Sequence, residues 1–251
     1  MPLKNIHFLE IFGIKVSKLT TDSFLKCIND SITGNKNLSV AYANADTLNK
    51  IYKNESLKKI YDSFDLIHAD GIGIYLASKF LYGKNGLEER LTGSDFYIKL
   101  INESIKKNWS YFFFGHDYNT LSSVKDAYPR LNISALQEGY TFENEKVVEI
   151  INKKNPDIII IGLSCPVQEM WIHENKNRIN FKVILAVGDG IGIFANKKKR
   201  GPLLMRKIGL EWLTRYALEP VSSFRKYIIG NPLFIYRVVK EKIHLHDKKA
   251  R

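Results

Sequence analysis

The sequence predicts an α/β fold: a Rossmann-like parallel sheet flanked by helices, followed by a basic, amphipathic helical C-terminal appendage. Short apolar runs that suit buried strands alternate with stretches of helical periodicity. The charge is unevenly divided, because residues 197–251 hold 15 Lys or Arg and 4 Asp or Glu, which is +11 of the total net charge of +12. We therefore expect a nearly neutral Rossmann-like domain over residues 1–196, and an appendage over residues 197–251 that meets an anionic partner.

The strands and helices of the first domain follow from local patterns. Five runs rich in β-branched or aromatic residues predict buried strands. These runs span residues 38–43, 66–69, 111–114, 158–161 and 183–187. One apolar face from Leu48 to Tyr61 predicts a single helix, and Ser94 is expected to be the N-cap of another. A further helix is expected over residues 144–153.

Cysteine usage and hydropathy exclude several classes of protein. Cys27 and Cys165 lie far apart and have no Cys or His neighbours at metal-ligand spacing, so neither a zinc site nor a disulfide framework is expected. The longest apolar stretch near the C-terminus, residues 227–236, is interrupted by Pro232 and is too short to span a membrane. The N-terminal stretch does not have the pattern of a signal peptide. These features predict a cytoplasmic protein.

Polar residues and glycines follow the predicted strands, where ligands of such sheets bind. Gly71, Gly73, Gly188 and Gly190 are candidates to present backbone N–H groups to a phosphate, although strand-to-helix turns also need glycine for conformational reasons. Asp70 follows a strand and precedes two glycines. It is either a general base in a cleft or the cap of the next helix.

Two further polar side chains lie next to predicted helix starts. Arg90 could hold a phosphate or a sugar bidentately, or it could form a surface ion pair. Gln168 could reach a sugar hydroxyl, whereas Glu169 would suit the helix dipole. No Asp-x-Asp motif occurs in the chain, so no metal and no other cofactor are expected. A leaving diphosphate would instead be held by helix N-termini and by Arg or Lys.

The appendage mixes apolar and cationic residues at helical spacing. Leu203, Leu204, Ile208 and Trp212 fit one helix face, and cations occupy the others. This composition predicts an interfacial helix on an anionic membrane surface. A helix packed on the core with a solvated basic face, or a segment that binds single-stranded nucleic acid, remains an alternative.

Short motifs along nearly the whole chain resemble those of the WecG/TagA/CpsF glycosyltransferases. Their order and spacing together are specific, although each motif is short. They are Asn44-Ala45-Asp46, Ala69-Asp70-Gly71-Ile72-Gly73, Glu89-Arg90-Leu91-Thr92-Gly93-Ser94-Asp95, Gly139-Tyr140, Pro156-Asp157, Gly162, Pro166-Val167-Gln168-Glu169-Met170-Trp171, Lys199-Arg200-Gly201-Pro202, Gly209-Leu210-Glu211-Trp212-Leu213-Thr214-Arg215, Glu219-Pro220 and Arg225-Lys226-Tyr227.

The resemblance implies an inverting, metal-independent transfer from a UDP-sugar to a polyprenyl-diphosphate-linked sugar. The transferred sugar would be N-acetylmannosamine or a related hexose, in cell-envelope polysaccharide or teichoic acid synthesis. The enzyme would be peripheral on the inner face of the cell membrane. No nucleic acid is expected as a partner, and a homo-oligomer remains open.

The resemblance also assigns roles to residues. It implies that Asp70 is the base and that Asn44, Arg90 and Gln168 line the pocket. Arginines of the appendage would close over the diphosphate once the tail docks on the membrane. The arginines at the corresponding motifs are Arg200, Arg215 and Arg225.

One departure from the family pattern concerns uridine recognition. Relatives have Phe-Asp where this chain has Ile191-Gly192, and Asp189 lies three residues earlier than the family's position. Two other classes of function stay open on the residues alone. One is another sugar-nucleotide enzyme, such as an epimerase, and the other is a basic nucleic-acid-binding protein.

Overall fold

A computed structural model of the protein describes residues 6–198 and 201–250. The described chain contains an eight-stranded sheet in the order β1-β2-β4-β3-β8-β7-β5-β6. Only the β1–β2 pair is antiparallel. The strands are β1 Phe8–Ile11, β2 Ile14–Ser17, β3 Leu38–Ala43, β4 Leu66–Ala69, β5 Ser110–Gly115, β6 Asn132–Gln137, β7 Ile158–Gly162 and β8 Val183–Ala186.

The five predicted strands are confirmed as β3, β4, β5, β7 and β8. They form the centre of the sheet, and helices cover both faces, which explains why their sequences are continuous apolar runs. All four residues of β4 and all four of β8 are buried. The strands β1 and β6 form the two edges of the sheet, and β2 lies next to β1. These three strands are short or half-exposed, and the sequence patterns did not predict them.

Within residues 6–198, nine α-helices lie between the strands or after β8. They are α1 Thr21–Thr33, α2 Ala45–Ile51, α3 Glu55–Asp62, α4 Ile72–Tyr82, α5 Gly93–Lys107, α6 Tyr118–Ala127, α7 Asn144–Lys154, α8 Val167–Asn175 and α9 Ile191–Phe194. The helix predicted over residues 144–153 is confirmed as α7.

Two predictions about helices were wrong in detail. The single helix expected from Leu48 to Tyr61 is two helices, because Lys53 has a positive φ of 77° and Asn54 then caps α3 by accepting a hydrogen bond from the Leu57 N–H. The N-cap of α5 is Thr92 rather than Ser94. Ser94 is buried within the first turn, so its hydroxyl does not take the capping position.

The chain after residue 201 is helical and lies against the sheet domain. Its helices are α10 Leu203–Ile208, α11 Glu211–Leu218, α12 Pro220–Phe224 and α13 Gly230–Ala250, and a π-helical turn spans Arg225–Ile229. Phe234 and Val238 of α13 join the same apolar core as the residues under α2 and α4. Arg237 donates to the Asn49 carbonyl at 2.8 Å, and Lys242 donates to the Leu81 carbonyl at 2.8 Å.

Part of the appendage therefore packs on the core, which was one of the alternatives that the sequence left open. Much of the outer surface of the appendage is apolar and exposed. Within residues 6–198 and 201–250, no helix combines the length and apolarity that crossing a membrane would require. The division into domains at residue 196 stays a prediction.

Candidate active site

The sheet order brings three polar turns to one place. The strands β4, β3 and β8 are neighbours and run parallel, so their carboxyl ends meet at one edge. A cavity of about 880 Å³ lies at this edge, between the sheet and the helices that follow residue 201. Asn44 follows β3, Asp70 follows β4, and Gly190 lies in the turn after β8; all three line the cavity. The turn after β5 is on the far side of β7 and does not reach it.

The Asp70 carboxylate is held by a neighbouring helix rather than by the helix that it precedes. Its Oδ1 accepts a hydrogen bond from the Gly93 N–H at 2.9 Å, in the first turn of α5. Gly71 is the N-cap of α4 and makes no side-chain capping bond, so Asp70 does not cap that helix. Oδ2 accepts no hydrogen bond from the described residues, which leaves it available in the cavity.

Three side chains near Asp70, all from the sheet domain, are neutral. Burial lowers the pKa of His68, against the opposing charge of Asp70, and its Nδ1 lies 3.1 Å from the Ala69 carbonyl. Burial raises the pKa of the Tyr97 phenol, and the Asp70 charge raises it further. Burial also raises the pKa of Tyr42, and the charge of Glu169 adds to this. On the side of the sheet domain, Asp70 therefore faces hydrogen-bonding groups that are uncharged at neutral pH.

The start of α4 also faces the cavity. Gly71 has a φ of 88°, and a Cβ built there would meet nothing within 4 Å, so the position needs glycine for its backbone and leaves open space beside it. Gly73 lines the cavity next to it. The Gly71 N–H donates to the Leu91 carbonyl at 3.0 Å, so the phosphate donor that the sequence predicted at Gly71 is not free. The N–H groups of the residues that follow it in this first turn have no partner inside the helix and suit an anion or a hydroxyl. Asn44 caps α2 by accepting from the Thr47 N–H at 3.0 Å, and it also lines the cavity.

The turn after β8 uses its own N–H groups inside the protein. The Gly188 N–H donates to Gln168 Oε1 at 2.9 Å, and the Gly190 N–H donates to the Val187 carbonyl at 2.9 Å. A Cβ on Gly190 would lie 2.7 Å from the Tyr97 ring, so packing accounts for this glycine. Gly188 does not line the cavity. The sequence predicted phosphate donors at this turn, but the N–H groups of Gly188 and Gly190 are both already bonded inside the protein.

Gln168 lies behind the cavity wall and is fully buried. Its Nε2 donates to Glu169 Oε1 at 2.8 Å while its Oε1 accepts from Gly188. Tyr61 also donates to Glu169 Oε1, at 3.2 Å, and burial raises the pKa of this carboxyl. Gln168 thus connects a buried acid to the β8 turn, and it is not among the residues that line the cavity.

Arg90 lines the cavity and connects the sheet domain to the appendage. Its guanidinium donates to the carbonyls of Arg206, at 2.6 Å, and of Lys207, at 3.2 Å. These carbonyls belong to the last turn of α10, where a cation is favourable. These contacts differ from the surface ion pair that was one alternative from the sequence, and the contact of Arg90 with a phosphate or sugar stays a prediction.

Further cations line the cavity from the appendage side: Lys198, Arg206, Arg215 and Lys226. Arg215 Nη2 lies 3.5 Å from Ser94 Oγ and 3.9 Å from Glu211 Oε1, so its guanidinium keeps donor capacity for a ligand. Arg225 is exposed on the π-helical turn and does not line the cavity. Arg200 lies outside the described residues.

Sequence reasoning did not single out Lys198. It forms an ion pair with Asp189, which also lines the cavity. Burial lowers the pKa of the Lys198 ammonium, and repulsion from Arg215 and Lys226 adds to this, while the charges of Glu219 and Asp70 oppose the shift. Lys198 belongs to a run of four cations at residues 197–200, which indicated an anion-binding segment. Nothing in that run showed which of the four side chains faces the cavity.

The far half of the cavity is apolar. All of its lining residues on α4 are apolar or glycine, and so are those on α13 from Pro232 onward. Among the residues that the structure describes, no group of three or more His, Cys, Asp or Glu side chains is arranged to hold a metal ion. The site therefore consists of a carboxylate between a cationic wall and an apolar wall.

A doubly covered parallel sheet with such a cavity at its carboxyl edge is typical of an α/β enzyme that binds its ligand there. The sequence comparison makes the assignment specific. The chain belongs to the family described as "Glycosyl transferase WecG/TagA/CpsF family", whose profile matches residues 9–248. The protein is a glycosyltransferase, as the sequence motifs predicted, and this activity favours neither the epimerase nor the nucleic-acid alternative.

Named relatives resemble the chain over nearly all of its length. A protein of Staphylococcus aureus strain MRSA252 is 31% identical over 258 residues, covering 98% of this chain and 97% of its own. A protein of Bacillus spizizenii strain W23 is 28% identical over 246 residues, covering 96% and 91%. Both are named N-acetylglucosaminyldiphosphoundecaprenol N-acetyl-beta-D-mannosaminyltransferase.

Proposed function

We propose that the protein transfers N-acetylmannosamine, or a related hexose, from a UDP-sugar to N-acetylglucosamine carried on a polyprenyl diphosphate. The relatives' names support the acceptor and the transferred sugar. The observation that carries the proposal is the placement of Asp70 Oδ2 in one cavity between a cationic wall and an apolar wall. A diphosphate suits the first wall and a lipid-linked acceptor suits the second.

In this mechanism Asp70 is the general base. A hydroxyl oxygen of the acceptor sugar attacks the anomeric carbon of the donor, and its proton passes to Asp70 Oδ2. The bond from that carbon to the β-phosphate oxygen breaks, and its electron pair leaves on UDP. Attack on the face opposite to the leaving group inverts the anomeric configuration. The Gly93 N–H keeps the carboxylate oriented through Oδ1.

The leaving diphosphate lies against the appendage in this proposal. Arg215, Lys226 and Lys198 supply positive charge where negative charge develops, and the first turn of α4 supplies N–H donors. This arrangement supports a transfer that does not depend on a divalent metal. Asn44, which stands at the end of β3, contacts the sugar of the donor or of the acceptor.

The same appendage brings the enzyme to the membrane, on its inner face, where the acceptor resides. Leu203, Leu204 and Ile208 of α10 are exposed by 58%, 69% and 54%. A group of apolar side chains on a strongly basic segment suits the boundary of an anionic bilayer. Vesicles that contain anionic lipid should therefore sediment the protein, and Leu204→Ser should weaken this binding.

A transfer assay tests the proposed function. The purified chain is mixed with UDP-N-acetylmannosamine and N-acetylglucosaminyl-diphosphate-farnesol, in the presence of EDTA, and both UDP and the disaccharide are measured. We expect a disaccharide product whose new linkage has the anomeric configuration opposite to that of the donor, as NMR shows. UDP-N-acetylglucosamine and UDP-glucose in place of the donor report the sugar specificity.

Three results would contradict separate parts of the proposal. Retention of configuration would exclude single-step attack by the hydroxyl. Loss of turnover in EDTA that Mg²⁺ restores would contradict metal independence. Absence of transfer to any polyprenyl-linked acceptor would contradict the acceptor class.

A further inference from the structure

The apolar half of the cavity is a groove between α4 and α13. Its floor consists of Ala77, Phe234 and Val238, which are buried. Its rims are exposed large apolar side chains, two from each helix and four residues apart on each. They are Leu76 and Phe80 on α4, exposed by 56% and 50%, and Ile235 and Val239 on α13, exposed by 61% and 43%.

The groove is continuous with the reaction site. It begins at Ile72 and Gly73, directly after Asp70, where a Cβ on Gly73 would lie 3.8 Å from the Phe234 ring. From Ile72 to Phe80 the rise along α4 is about 12 Å, at about 1.5 Å per residue. A flexible apolar chain that leaves the site near Asp70 therefore has a path of this length between two apolar walls.

Polar contacts on the sides of the groove hold its two helices together. Lys242 of α13 donates to the Leu81 carbonyl, and its ammonium lies 5.9 Å from the centre of the Phe80 ring. On the other side of α13, Arg237 is bonded to Asn49 and stacks over the Tyr52 ring at 4.2 Å. The exposed apolar rims therefore belong to a preformed groove, and they are stabilised when an apolar ligand covers them.

We infer that this groove binds the first isoprene units of the acceptor's polyprenyl chain. The inference rests on the proposed function, because the occupant is the lipid of the proposed acceptor. The cationic wall takes a diphosphate at one end of the cavity, and the groove leads away from Asp70 on the other side. The lining of the groove is apolar throughout, which suits a hydrocarbon chain rather than a sugar or a nucleotide. The bilayer would take up only the part of the chain that extends beyond Phe80.

The dependence of transfer on chain length tests this inference without a membrane. N-acetylglucosaminyl-diphosphate acceptors that carry a methyl, geranyl or farnesyl group are used below their aggregation concentrations. The readout is the ratio of kcat/KM for the farnesyl acceptor to that for the methyl acceptor, taken within each variant. Differences in the amount of folded enzyme cancel in this ratio.

The parent ratio should be well above one, and it should fall by about tenfold in Leu76→Ser, which corresponds to about 1.4 kcal/mol. Val239→Ser on the opposite wall should act in the same direction. Ile98→Ser is the matched control, because this side chain on α5 is also exposed and apolar but lies outside both the cavity and the appendage. Its ratio should equal that of the parent.

The groove assignment is overturned if transfer occurs but the ratio is the same in the parent, Leu76→Ser and Val239→Ser. It is also overturned if Ile98→Ser lowers the ratio as much, because general adsorption would then explain the preference. Absence of transfer to every acceptor, including the methyl compound, would overturn the proposed function itself and the inference with it.

Discussion

The two sides of the cavity are built differently. Asp70 follows β4, whose four residues are all buried in the centre of the sheet, and a backbone N–H holds its carboxylate. Arg215 belongs to α11, and neither α10 nor α11, both fully described, has a buried residue. Among the contacts that hold these helices, those to the sheet domain include hydrogen bonds from Arg90 and long contacts from Arg215 and Arg206.

The two sides suit two different tasks, which are to position the base and to bind and release the diphosphate. A base must be positioned to within tenths of an ångström, and a buried strand provides that rigidity. A diphosphate must enter and leave, and helices with little buried area open at a low cost in free energy. We therefore expect substitutions on the sheet side to lower kcat, and substitutions on the appendage side to lower nucleotide affinity.

Asp70→Asn should have the largest effect. The side-chain oxygen of the asparagine can still accept a hydrogen bond from the Gly93 N–H. Because the amide cannot take a proton from the hydroxyl of the acceptor sugar, kcat should fall by about 10²–10⁴-fold. Steady-state transfer at saturating donor and acceptor measures this. Turnover within a few-fold of the parent would remove Asp70 from the role of base.

Arg215→Ala should have the second largest effect. Loss of a charged hydrogen bond to the diphosphate should weaken UDP binding by about 10–100-fold. Calorimetric titration with UDP measures it, and Lys207→Ala, an exposed cation of α10 that does not line the cavity, is the control. An equal loss in both variants would show that general charge, rather than a contact in the site, attracts the nucleotide.

Arg90→Ala should loosen the appendage. The variant loses the two hydrogen bonds to the end of α10, so α10 and α11 should open more often. Amide hydrogen exchange in these helices should become faster by about tenfold, whereas exchange in β4 should not change. If exchange in α10 stays at the parent rate, Arg90 does not hold the appendage, and its guanidinium acts on the ligand alone.

Glu169→Gln should have the smallest effect on turnover and a visible effect on stability. Because burial raises the pKa of Glu169 in the folded protein, the folded state binds more protons than the unfolded state above about pH 4.5. The contribution of this group to the free energy of unfolding therefore declines as pH rises through its raised pKa. Urea unfolding between pH 5 and pH 8 should show a weaker decline in the variant. An identical pH profile would mean that Glu169 is charged without penalty.

The sequence predicted the sheet side of the site well. Continuous apolar runs such as Ile158–Ile161 of β7 fit the covered strands of a parallel sheet, and the residue that follows such a strand then lies at the carboxyl edge of the sheet. That logic brought Asn44 and Asp70 to one edge, and it was sufficient because the sheet determines the position. It did not show that the acid's partner would be Gly93, because that contact joins segments whose packing no local pattern encodes.

The appendage side was predicted less well. Helical periodicity shows that a face is apolar, but not which surface will cover it, so Phe234 and Val238 could not be distinguished from the exposed Ile235 and Val239. The same limit applies to cations. Lys198 faces the cavity and Arg225 does not, although both belong to basic stretches of similar composition. The edge strands were missed because β6 is half-exposed and has few features of a buried strand.

The separate roles of the two sides of the cavity are tested most directly by measuring both UDP affinity and kcat in Asp70→Asn and in Arg215→Ala. The prediction is a crossed result: Asp70→Asn keeps the parent's dissociation constant for UDP and loses turnover, whereas Arg215→Ala weakens UDP binding and retains most of its kcat at saturating donor. If Asp70→Asn loses UDP affinity as strongly as Arg215→Ala does, the carboxylate holds the donor, and the assignment of chemistry to the sheet side is wrong.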